Sequence, residues 1–180
     1  MITFETEYKS FYQRLLNLNN FSFLTLFIFY SFLIFNFKLL SHYSIMIEVL
    51  ISIILIKFII SKSKTNIHII SFNENNITFD GETFNKKWKK SINIKETKIV
   101  LKSLASRRGI CSVIFYLKFK NDKETFIINS FETYSDEEIL EIFNEFKKLK
   151  EEKIILDERL VIYRIQEKIE KCPFNKNSSK

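Results

Sequence analysis

Residues 21 to 60 are almost continuously apolar, about forty positions with one polar break at Lys38-Leu39-Leu40-Ser41-His42. A bilayer core takes about 20 apolar residues per crossing. The run is twice too long for one span and has the length of two. The expected architecture is therefore a membrane α-helical hairpin carrying a folded domain. The first span is expected from about Leu16 to Phe37, roughly 33 Å of helix, and phenylalanine dominates it. The second is expected from about Tyr43 to Ile60. It is isoleucine-rich and carries Glu48 and Lys57.

Positive charge flanks this run unevenly. Lys9 and Arg14 precede it, Lys57, Lys62 and Lys64 follow the second span, and the connecting loop holds only Lys38. By the positive-inside bias this predicts a multi-pass protein of a bacterial cytoplasmic (inner) membrane with both termini cytoplasmic. A cleaved signal peptide fits poorly, because no small-x-small site follows the run and a second apolar segment comes at once. The net charge of +7 suggests anionic partners. Beside a transmembrane hairpin, the acidic leaflet is the simpler partner. Some of the lysine and asparagine reflects the composition of an AT-rich genome. Cys111 and Cys172 show no metal spacing and predict neither a disulfide framework nor a zinc site. Cys111 alternates with Val113, Phe115, Leu117 and Phe119 and reads as a strand core residue, whereas Cys172 falls in the polar tail.

Residues 1–15 place Phe4, Tyr8, Phe11, Tyr12 and Leu15 at helical spacing, an expected cytoplasmic amphipathic segment. Residues 16–60 form the hairpin. From Asn66 the period changes to two, predicting an α+β domain over 65–150 with six or seven antiparallel strands. Asp80-Gly81 signals a hairpin turn. Ser135 and Glu138 make a capping box, and Ile139, Ile142, Phe143, Phe146 and Leu149 form one apolar helical stripe. A helical extension over 151–171 and a disordered tail over 172–180 complete the expectation.

Phe4-Glu5-Thr6-Glu7-Tyr8-Lys9-Ser10-Phe11-Tyr12, the stretch from Ile77-Thr78-Phe79 to Trp88 and Ile92, and the closing helix Asp136 to Lys150 carry a resemblance. With the two spans, they resemble bacterial membrane proteins with a pleckstrin-homology-like domain, the YcxB-like group. The resemblance covers most of the chain. It implies a β-barrel or sandwich of six to seven strands closed by a C-terminal helix. Two departures stand out: the closing helix has no tryptophan, and the turn Asn73 to Asn76 has no Lys or Arg. Phosphoinositide binding is therefore not implied. The resemblance supplies no catalytic residue, and no cofactor or metal is expected.

Glu48 lies in the second span with Ser44 and Ser52 one turn to either side. An acidic residue at mid-bilayer costs roughly 2.5–3.5 kcal/mol on insertion scales. It reads either as an anchor reaching the external headgroups or Lys38, or as part of a polar stripe contacting the first span, a second protomer or a partner protein. Lys86, Lys87, Lys89 and Lys90 flank Trp88. With Arg107 and Arg108 they form a candidate contact for anionic lipid or a partner. The plain alternative is lysine dressing solvent-facing strand positions, and nucleic acid is not expected as a partner. His42 and His68 have no ligand or catalytic companions; His68 suits a strand edge.

The expected function is a non-enzymatic interaction module at the cytoplasmic face, with the lipid bilayer and a protein as partners and a homo-oligomer as an option. Two alternatives stand beside it: an immunity-type protein that neutralises a toxin, and an oligomeric pore or transport component.

Overall fold

The computed structural model describes residues 1–16, 25, 27, 31, 42–104, 109–129 and 133–172. In order, its elements are β1 (Ile2–Glu5), α1 (Phe11–Leu15), α2 (His42–Ser63), β2 (Thr65–Phe72), β3 (Asn76–Thr83), β4 (Lys86–Asn93) and β5 (Lys98–Leu104). A single 3-10 turn (Ile110–Ser112) precedes β6 (Ile114–Lys120), β7 (Thr125–Ile128), α3 (Asp136–Leu149) and α4 (Leu156–Lys171). The chain divides into two compact units. One comprises Met1–Tyr8, Ile67–Gly81 and Lys87–Lys180; the other comprises Lys9–Asn66 and Glu82–Lys86.

The strands form two antiparallel sheets, β1-β2-β3-β4 and β5-β6-β7. This is an α+β arrangement, and it corrects the expected barrel: the described strands separate into sheets of four and three and do not close. In the first unit the inner faces share an aromatic core. Phe79 on β3 stacks on Phe126 of β7 at 4.6 Å and meets Phe119 of β6 at 5.2 Å. Val113, Phe115, Leu117 and Phe119 form the buried row that their alternation predicts. Helix α3 buries Ile139, Ile142, Phe143 and Phe146 completely, with Phe146 against Phe119 at 5.6 Å. Each such side chain contributes about 1.5–3 kcal/mol by burial.

Local rules set the start of α3. Ser135 Oγ accepts from the Glu138 N–H at 3.1 Å, and Glu138 accepts the Ser135 N–H at 2.7 Å. Ser135→Ala is expected to lower stability by about 1 kcal/mol. Thermal unfolding checks this, and an unchanged midpoint would show that packing alone holds the helix end.

The hairpin is the main correction. No helix among the described residues is long and apolar enough to cross a membrane. The first expected span lies outside the described residues apart from Leu16 and three isolated positions. The second is helical in α2, but its side chains are described continuously only from Val49, and that stretch contains Lys57 and ends at Ser61-Lys62-Ser63. The transmembrane reading and the multi-pass inner-membrane localisation therefore have no support. The cytoplasmic placement of the domain meets a second obstacle, a disulfide joining Cys111 and Cys172, because the cytosol keeps thiols reduced.

Three local expectations also change. Residues 2–5 are a strand, not part of a helix: Phe4 sits opposite Ile70 in the ladder and packs edge-on to Phe72. Asp80 and Gly81 lie inside β3, and the turn falls at Phe84 and Asn85. There Phe84 takes φ 57°, a left-handed conformation that bulky residues adopt only when their surroundings hold them. Cys111 leaves the strand. It sits in the 3-10 turn after Gly109, whose φ of 90° suits glycine.

Candidate functional site

Strand β4 is an edge of the four-stranded sheet. It exposes Lys86, Lys87, Lys89 and Lys90, while Trp88 is half-buried and Ile92 is buried. Alternation puts Lys86, Trp88, Lys90 and Ile92 on one face, where Trp88 and Ile92 pack to the core, and Lys87 and Lys89 on the other. Two of the lysines have carboxylate neighbours: Lys89 reaches Asp80 at 3.1 Å and Lys90 reaches Glu124 at 2.5 Å. Lys90 also stands over the Trp88 and Phe126 rings, and Lys87 over the Tyr8 ring at 5.8 Å. These exposed ion pairs are weak, about 0–1 kcal/mol each, so they leave the lysines available to a competing anion. Arg107 and Arg108 lie outside the described residues.

The expected intramembrane stripe is only partly described. Ser44 and Glu48 belong to α2, one turn apart, and their side chains lie outside the described residues. Ser52 is half-buried. The described side chains of α2 are mainly apolar and open. Met46, Val49, Leu50, Ile51, Ile53, Ile54, Ile56 and Phe58 are all exposed, Met46 by 72% and Phe58 by 65%. These positions run round the helix rather than along one stripe.

A buried ionic junction had no counterpart among the expected sites. In the second unit, Arg14 is 2% exposed and Glu82 is fully buried. The Arg14 guanidinium donates to Glu82 and to the Lys9 carbonyl through Nη1. Its Nε donates to the Ser63 carbonyl at 3.2 Å and its Nη2 to the Phe84 carbonyl at 3.3 Å. One planar fork thus ties together the start of α1, the end of α2, the end of β3 and the strained turn. Phe84 is further held by its own N–H, which donates to the Lys64 carbonyl at 2.7 Å, and by the Phe11 ring at 5.2 Å. The only sequence trace is an arginine among Phe11, Tyr12 and Leu15, which reads as a flanking charge.

A polar cluster lies in the first unit. His68, expected at a strand edge, is on β2 between β1 and β3. Its carbonyl accepts the Thr6 N–H at 2.9 Å, and its ring meets Tyr8 edge-on at 5.6 Å. Burial pushes the Tyr134 phenol well above its ordinary pKa, and the carboxylates of Glu138 and Glu5 push the same way. The Thr6 hydroxyl pulls in the other direction, yet Thr6 Oγ1, His68 Nδ1 and Tyr134 OH complete no hydrogen bond within the protein. Among the described residues no group of three or more His, Cys, Asp or Glu gathers where a metal ion would be held.

No protein-family model matches this chain, and no curated protein or solved structure does.

Proposed function

We propose that this chain is a non-enzymatic binding protein that grips a protein partner of joint apolar and acidic character. The observation that carries this reading is the apolar surface of α2, open at Met46, Val49, Leu50, Ile53, Ile54 and Phe58. Proteins rarely leave contiguous apolar patches of more than a few hundred Å² uncovered unless something binds there. Lys86, exposed in the same compact unit as α2, adds selection for anions. The non-enzymatic part is supported by the use of buried ionisable groups as braces: Arg14 with Glu82, Lys147 with Glu158 at 2.8 Å and Lys168 with Asp136 at 2.7 Å.

Anionic lipid headgroups over acyl chains offer the same chemistry, and the test separates the two sources. A photo-crosslinking residue at Ile54 and, in a second variant, at Lys86 is expected to capture one and the same protein from cells. Adducts only with lipid at Ile54 would overturn the protein-partner reading. Reversing Lys86 to Glu is expected to cut capture at Ile54 by about threefold or more. The unfolding midpoint should barely move, because the Lys86 side chain is exposed.

A further inference from the structure

Helix α4 has two apolar faces, and among the described residues only one is covered. Val161, Ile162, Ile165 and Ile169 pack against the core, with Lys168 Nζ donating to the Val113 carbonyl at 2.8 Å. On the opposite side Leu156, Leu160 and Tyr163 are exposed by 72%, 60% and 66%. Their spacing of four and then three residues is that of a coiled-coil seam. Glu167 continues the seam by four more and ends its apolar part, paired along the helix to Lys171 at 2.7 Å. Asp157 and Arg164 flank the seam on one side at equivalent heptad positions. Both are exposed, and neither has an ion-pair partner among the described residues.

We infer that this face of α4 is a homodimer interface, occupied by α4 of a second copy running antiparallel. The charge pattern selects both occupant and direction. In an antiparallel pair, flanking positions of the same kind meet across the seam. Seating Leu160 against the partner's Tyr163, and Tyr163 against the partner's Leu160, brings Asp157 to the partner's Arg164 and Arg164 to the partner's Asp157. A two-fold axis thus yields two complementary ion pairs from one sequence, as an isologous interface requires. A parallel pair would set like residues at equal heights. The helix has 16 residues, about 24 Å. Two such helices bury on the order of 1,000 Å², the low end for a specific interface. The dimer is therefore weak and concentration-dependent.

The test is light scattering on the purified full chain across micromolar concentrations, with circular dichroism to check folding. The wild-type chain is expected to move from monomer to dimer. Leu160→Glu should hold it monomeric with its unfolding midpoint retained. Asp157→Arg and Arg164→Asp should each weaken dimerisation by about tenfold, and the double swap should recover it to within about threefold. A chain that stays monomeric throughout overturns the inference, as does a dimer indifferent to Leu160→Glu. Single swaps that weaken the dimer without recovery in the double variant overturn the antiparallel pairing.

Discussion

Arg14→Ala is expected to lower the unfolding free energy by about 3–5 kcal/mol, the loss typical when one partner of a buried ion pair is removed. The size follows from what is left behind. Glu82 is fully buried and would remain there without its counter-charge. The carbonyls of Lys9, Ser63 and Phe84 would each lose the guanidinium donor. Phe84, held at φ 57°, would lose the group that pins its turn. Arg14→Lys should recover little, because one ammonium cannot span the four acceptors that a planar fork reaches. Replacing the pair together, Arg14→Met with Glu82→Leu, should be milder than either single loss, since no buried charge is stranded. Denaturant unfolding followed by circular dichroism measures the first effect. Hydrogen exchange at the Phe84 N–H locates it, with faster exchange expected in Arg14→Ala. A loss below about 1 kcal/mol would mean that water reaches Glu82 and that the junction is not sealed.

This junction also shows what can be read along the chain and what cannot. Helix α3 was legible in detail because its determinants are neighbours in sequence: Ser135 and Glu138 are three residues apart, and the stripe from Ile139 to Phe146 repeats at helical spacing. The row from Val113 to Phe119 was legible for the same reason, at period two. Arg14 and Glu82 are 68 residues apart, and no local periodicity carries their pairing. Asp80-Gly81 misled because a favourable turn pair can be overruled. β3 runs on to Thr83, and the carbonyl anchors around Phe84 stabilise a turn that the local residues would not choose. The lysines of β4 were legible as a cluster, but their place on a sheet edge comes from strand order.

Reducing the Cys111–Cys172 disulfide is expected to cost about 4 kcal/mol of stability. The bond spans a sequence separation of 61 residues. In the chain-entropy account, a loop of that size removes about 14 cal/mol/K from the unfolded chain, or roughly 4 kcal/mol at 25 °C. Alternation with Val113 to Phe119 predicts Cys111 as a strand core residue, with no sign of a bridge to Cys172. The exposed 3-10 turn brings its Cα to 5.7 Å from that of Cys172, just past the end of α4, within the ordinary range for a bridge. Folded contacts should largely survive without it. Lys168 still holds Asp136 and the Val113 carbonyl, and Ile165 is fully buried. The effect therefore falls on the unfolded state. Denaturation midpoints with and without reductant measure it, and the Cys111→Ser/Cys172→Ser variant should match the reduced chain. Because Cys111 is exposed, reductant reaches the bond without unfolding. A reduced chain as stable as the oxidised one would show that its unfolded state is already compact enough for the cross-link to constrain nothing further.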